Sequence, residues 1–254
     1  MHGLFGSKNN WNSLSKAINQ HTTRKIITID ARNHGESPHH PDMTYQAMAG
    51  DIKNLLNNSL MINEAVLMGH SMGGAAVMLT SLKYPEIVEK LIVVDMTPIR
   101  TSPSLQEMSG IMEAMKSVNF QDLETLSQAR KKADIDLAKT IKSSTLRQFL
   151  ITNVIESSPK NFQWRVNLPI IMNNFNGNIA RFYNLIPTLD GKTFDKPTLF
   201  IAGGKSDYIR PKDHNDIRKL FTNAEFVYIP DAAHWLHAEK PAEFLKISTD
   251  FINN

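Results

Sequence analysis

The chain has 254 residues, 41% hydrophobic and 21% charged, with 12 Gly, 12 Pro and no Cys, which places it among ordinary soluble globular proteins with a substantial core. Without cysteine there can be no disulfide framework, thiolate zinc site, iron–sulfur cluster or cysteine nucleophile, so nucleophilic chemistry must come from Ser, Thr, Lys or a carboxylate. The 28 basic and 25 acidic residues give a formal net charge of +3 and are spread too thinly for a nucleic-acid groove.

The densest basic group, Arg130, Lys131 and Lys132, has Asp134 and Asp136 beside it and reads as a solvated helix face. Apolar runs such as residues 91–94 fall far below the roughly 18 residues of a membrane span. No signal-peptide pattern opens the chain.

Taken in chain order, residues 25–30 (KIITID) read as a buried strand, 44–56 as a helix, 65–69 (AVLMG) as a strand, 72–83 as a helix and 90–95 (KLIVVD) as a strand. Residues 97–196 break this alternation with Ser-Pro and Asn-rich breakers around helical stretches at 105–116, 123–138 and 145–151. Such a segment is too long for a plain loop. It reads as a helical lid inserted into a core formed by 1–96 and 197–254. Beyond it come a strand at 198–203 (TLFIAG), a helix at 214–221, a strand at 225–229 (EFVYI) and a helix at 241–252. Alternating strands and helices imply an α/β fold with a mainly parallel sheet covered on both faces.

The run 65–69 leads through Gly69-His-Ser-Met-Gly73 into a helix. That pattern is the G-x-S-x-G nucleophile elbow, in which a sharp strand-to-helix turn holds the serine in a strained backbone conformation. Glycines are needed two residues either side because side chains there would strike neighbouring backbone. Ser71 is therefore the candidate nucleophile, exposed at a helix start where negative charge is favoured. A serine hydroxyl needs a base, and this arrangement calls for an acid and then a histidine further along the chain. His234, in a small-residue loop after the last strand, fits the base. His70 adjoins the nucleophile, but its side chain is expected to point elsewhere along the elbow.

Two acids preserve the order: Asp207 after the strand at 198–203 and Asp95 at the end of 90–95. The one not used would make loop or cap hydrogen bonds. An oxyanion hole would take one N–H from Met72 and the other from the His2–Gly6 segment, with Leu4 the expected donor. Lid residues Phe120, Phe149, Trp164, Phe175 and Phe182 read either as walls of an apolar acyl pocket or as lid core. No metal-ligand spacing or nucleotide fingerprint is visible, so neither metal nor cofactor is expected.

HGLFGSKNNW, DARNHGESP, GHSMGG, VVDMTP, WRVNL, GGKSDYI and AAHWLHAEKP together resemble the alpha/beta-hydrolase superfamily over essentially the whole chain, most closely the alpha/beta hydrolase domain-containing protein 11 family and related bacterial esterases. The resemblance implies an alpha/beta-hydrolase fold and a serine hydrolase acting on small-molecule carboxylic esters, lipid-like ones included, through an acyl-serine intermediate. It also implies a mitochondrial location in animals. It leans toward Asp95 as the acid, with Ser206 close to the imidazole. Family members carry strands before the His-Gly turn, whereas here His2 follows Met1 directly, so those strands, and any transit peptide, are expected to be missing. A receptor-like module that binds an apolar ligand under the lid, or an inactive truncated fragment, are the alternatives.

Overall fold

The computed structural model describes residues Met1–Asn254, apart from the side chain of Gln106. In chain order its elements begin with α1 (Asn12–His21), α2 (Tyr45–Asn54), β1 (Ala65–His70), α3 (Met72–Lys83) and β2 (Val88–Val94). A middle region follows: α4 (Met108–Lys116), α5 (Leu126–Ala138), α6 (Ser144–Ile151), β3 (Val154–Ser158), β4 (Asn161–Trp164) and α7 (Leu168–Phe175). The chain closes with β5 (Thr198–Gly203), α8 (His214–Arg218), β6 (Ala224–Ile229), α9 (Leu236–Glu239) and α10 (Pro241–Asn253).

Strands β1, β2, β5 and β6 form one sheet in that order, every pair parallel. Their apolar runs are continuous because both faces are covered. On β2, Leu91 and Val93 enter a core shared with α2, α3 and the middle region, while Ile92 and Val94 enter a second core with Leu14 and Ile18 of α1 and Phe244 and Ile252 of α10. Strand β5 splits the same way, Phe200 and Ala202 against Leu199 and Ile201, as a side-chain period of two requires. The register pairs His70 with Val94 and Val94 with Ile201, and Gly203 with Ile229. The loops after all four strands thus leave the sheet at one rim, where open α/β sheets carry their sites.

Residues 25–30, expected as a strand, belong to no strand and pair with none of the strands of the sheet. A strand exists only by pairing, and among the described residues it is Met1 that bonds the edge of β1 away from β2: Met1 N donates to the Met68 carbonyl at 2.6 Å, and the Met1 carbonyl accepts from His70 N at 3.1 Å. The rest of that edge faces residues 25–29 across a groove of about 330 Å³ lined by Ile27, Ile29, Val66 and Met68.

Other boundaries shift for local reasons. Thr125 caps α5 by accepting from Gln128 N at 3.2 Å, so that helix begins after the expected start at 123. Helix α8 stops at Arg218 instead of 221, because Phe221 leaves the helix to bridge Phe194. Helix α1 was not expected from its polar sequence, in which Leu14 and Ile18 are the buried pair. The antiparallel β3–β4 hairpin, mostly exposed, was not expected either.

Candidate active site

Ser71 sits between β1 and α3 at φ 53° and ψ −117°, a strained conformation for a residue with a side chain. A Cβ on Gly69 would lie 2.2 Å from the Gly73 carbonyl oxygen, and one on Gly73 would lie 2.5 Å from that of His2. The elbow therefore requires glycine at both positions. Its backbone is tied into the sheet, Ser71 N donating to the Val94 carbonyl at 3.0 Å.

Asp95 follows β2 with φ 49° and is 0% exposed. Its Oδ2 lies 2.7 Å from Nδ1 of His234 and also accepts from Ser206 Oγ, while Oδ1 accepts from Gly203 N at 3.2 Å. A carboxylate so enclosed by donors on Nδ1 fixes the imidazole with Nε2 free to accept a proton. Asp207 is turned elsewhere: it accepts from Ser102 Oγ and from Ser104 N at 3.2 Å. Burial alone would raise the Asp207 pKa, but the Ser102 and Ser104 hydrogen bonds outweigh it and hold the carboxyl below its ordinary range.

His234 stands in the loop between β6 and α9, secured at Ala233, whose N–H donates to Glu239 at 2.9 Å. Among the described residues no hydrogen bond joins His234 Nε2 to Ser71 Oγ. His70 does turn away from Ser71, yet not from the site. Its Nε2 bonds the His234 carbonyl oxygen at 2.9 Å, and its ring lies 4.7 Å from that of His234 and 4.5 Å from that of His237. Burial holds His70 and His237 neutral, His237 with a pKa lowered to about 3.

The His2–Gly6 segment packs against the elbow: a Cβ on Gly3 would lie 2.9 Å from His70 Nδ1 and 3.2 Å from Ser71 Cβ. Leu4 lines the same cavity as Ser71. Met72, as the first residue of α3, has no acceptor for its N–H within the helix.

The cavity above these groups holds about 440 Å³ and has Leu105, Met108, Ile111, Leu146, Phe149 and Trp235 among its apolar walls. Of the aromatics expected in a lid, Phe149 lines it. Phe175 and Phe182 are buried in the core, and Phe120 packs edge-on against Trp164, whose Nε1 donates to the Met115 carbonyl at 2.9 Å. Three participants carry no signal in the sequence beyond their nearness to the motifs: His70, Tyr208, and Arg100, whose Nη2 donates to the Asp207 and Tyr208 carbonyls at 2.9 and 3.1 Å. Among the described residues no group of His, Asp and Glu is arranged to hold a metal ion, and no helix is long and apolar enough to cross a membrane.

A family model described as alpha/beta hydrolase fold matches residues 1–241. The chain is 43% identical over 254 residues to the sn-1-specific diacylglycerol lipase ABHD11 of Mus musculus, covering 99% of this chain and 79% of that protein. It is 32% identical over 255 residues to esterase YbfF of Escherichia coli, covering 100% of this chain and 92% of that one. Among solved structures, a marine microorganism esterase superposes with a TM-score of 0.87 at 32% identity, covering 99% of this chain and 93% of its own.

Proposed function

The chain belongs to the alpha/beta hydrolase fold family as an ester-cleaving member, and from that premise we propose that it works through an acyl-Ser71 intermediate with His234 as base and Asp95 as the orienting acid. The observation that carries this reading is the 2.7 Å contact between His234 Nδ1 and Asp95 Oδ2 beside a serine on a strained elbow. His234 Nε2 takes the Ser71 proton as Oγ attacks the ester carbonyl, and the tetrahedral oxyanion is met by the Leu4 and Met72 N–H groups. Collapse expels the alcohol, protonated by His234. The same imidazole then activates water to release the acid.

Residues 97–196 act as the lid, and the apolar walls from α4 and α6 suit the acyl chain of a lipid-like ester. Kinship with diacylglycerol lipases supports an acylglycerol as substrate. A mitochondrial location, which the sequence resemblance implies in animals, belongs to the same proposal.

Fluorophosphonate labelling combined with turnover of short p-nitrophenyl esters tests the reading. The protein should label at Ser71 and hydrolyse the esters, and Ser71→Ala and His234→Ala should each lose roughly 10⁴-fold or more in rate with folding intact, because the members act as a unit. Activity within tenfold of the parent in either variant would sink it. Weak labelling with very slow turnover would favour a receptor-like ligand binder.

A further inference from the structure

The acyl-serine scheme gives no task to Tyr208, which is 4% exposed and lies with its ring flat on the imidazole of His234, centroids 4.0 Å apart and planes 14° from parallel. Resting on the reading of His234 as the base, we propose that Tyr208 is a positioning residue that stabilises, through its ring face, the imidazolium formed when Ser71 gives up its proton.

The stack is built and not incidental. Arg100 grips the carbonyls of Asp207 and Tyr208 and is itself paired with buried Asp213 at 2.7 Å. Tyr208 N donates to Ser206 Oγ at 3.3 Å. One short loop thus addresses the imidazole twice: Ser206 works in the ring plane through Asp95, and Tyr208 works from the face. A neutral imidazole gains little from an aromatic face, whereas a cation over a desolvated face is held by the ring quadrupole. The contact therefore strengthens as the proton transfers, which is the condition for lowering a barrier instead of tightening substrate binding.

Asp95 balances the imidazolium charge at Nδ1, and the groups on the other sides of His234 add no charge to it. The His70 ring lies 4.7 Å from the imidazole with His237 behind, and the Trp235 ring meets it edge-on at 5.8 Å. Burial keeps His70 and His237 neutral, as it does the Met1 amino group, whose pKa it lowers to about 5. Lys205 and Asp207 of the same loop are engaged with Asp231 and Ser102. Burial, and after it the Asp95 carboxylate, keep the Tyr208 hydroxyl protonated well above its ordinary range.

The test is the pH dependence of kcat/KM for a short p-nitrophenyl ester in the parent, Tyr208→Phe and Tyr208→Leu, alongside fluorophosphonate labelling of Ser71. Losing the ring face lowers the affinity of His234 for its proton, so Tyr208→Leu should move the acid limb about one unit to lower pH and reduce the plateau about tenfold. Tyr208→Phe keeps the face and should leave the limb in place. Should the leucine variant fail to fold, pentafluorophenylalanine at position 208 keeps the shape, inverts the quadrupole and should move the limb the same way. An unmoved limb in a slowed leucine or pentafluorophenylalanine variant, or a phenylalanine variant that shifts as far as leucine, overturns the proposal. In those cases continued labelling at Ser71 leaves the acyl-serine reading standing, whereas hydrolysis surviving in Ser71→Ala removes both.

Discussion

His2 and His34 lock two loops together by one device run in opposite directions: Nε2 of His2 accepts the Ala31 N–H at 3.0 Å, and Nε2 of His34 accepts the Phe5 N–H at 3.2 Å. Each ring then bonds a backbone carbonyl through Nδ1, His2 that of Gly3 at 2.8 Å and His34 that of Arg32 at 3.0 Å. This network assigns both rings as neutral Nδ1–H tautomers. Asn153 adds a third tie from the middle region, its Nδ2 donating to the Phe5 carbonyl at 2.8 Å. The segment so held carries the Leu4 N–H proposed for the oxyanion hole.

His34→Leu should leave the buried Phe5 N–H without an acceptor, costing about 1–3 kcal/mol of stability. It should also lower kcat, by at most roughly 10²-fold, more than it raises KM, since a loosened oxyanion donor acts in the transition state. Urea midpoints and steady-state kinetics on the same preparations check both parts. A variant that loses stability with kcat unchanged would show that the lock does not serve the oxyanion hole.

The same histidines set a pH limit on folding. Burial, the largest cause at each, lowers His2 and His237 from 6.5 to about 3, His34 to about 4, and His70 well below 6.5. Below pH 6.5 the unfolded chain binds protons at these sites that the folded chain refuses, so the unfolded state holds more protons and stability rises with pH across this window. The contribution is complete above pH 6.5 and is lost as pH falls toward the folded values, about 4 for His34 and about 3 for His2 and His237. Each group adds at most about 1.4 kcal/mol per pH unit. Urea midpoints at pH 7.5, 6 and 5 should fall steeply, and less steeply in His237→Phe. A flat profile would mean that these rings take up protons in the fold as readily as in the unfolded chain.

The elbow was legible in the sequence because its chemistry and its sterics lie within five consecutive residues, 69–73. Strands β2 and β5 were legible because burial on both faces writes an unbroken apolar run, as in Leu91–Val94 and Leu199–Ala202. Residues 25–30 carry a similar run, but strand formation depends on what lies alongside, which no local pattern encodes. Tyr208 and His70 escaped for the same reason. Their contacts with His234 join the ends of three different strands, and nothing in GGKSDYI or GHSMGG states which ring will lie on which.

Two glycines should respond oppositely to a methyl group. In Gly73→Ala the new Cβ would lie 2.5 Å from the His2 carbonyl oxygen and 2.6 Å from that of Met1, backbone atoms that cannot swing aside, so a loss of about 3 kcal/mol or more is expected. At Gly50, inside α2, a Cβ meets nothing within 4 Å. Gly50→Ala should therefore gain about 0.5–1 kcal/mol through helix propensity and a less flexible unfolded chain. Thermal midpoints measure both, and a stabilised Gly73→Ala would contradict the elbow packing.

Asp95 and Asp207 offer the sharpest comparison because both follow sheet strands and both precede His234 in the chain. Asp95 bonds the imidazole at 2.7 Å, is fully buried, and takes further hydrogen bonds from Ser206 and Gly203. In Asp95→Asn the amide can present an N–H to Nδ1, which favours the wrong tautomer and removes the charge that balances the imidazolium, so a fall in kcat of about 10³ to 10⁴ is expected. Asp207 instead joins the loop after β5 to Ser102 and Ser104 before α4. An asparagine there keeps an oxygen for one of those donors, so Asp207→Asn should cost about 1 kcal/mol of stability and leave kcat within roughly fivefold. Its depressed pKa has a separate signature: stability from Asp207 is present above the ordinary carboxylate pKa of 3.8 and is lost as pH falls through the lower folded value. Asp207→Asn should thus flatten the acid end of the stability profile while Asp95→Asn flattens the activity. If kcat falls by 10³ or more in Asp207→Asn and not in Asp95→Asn, the acid has been assigned to the wrong strand.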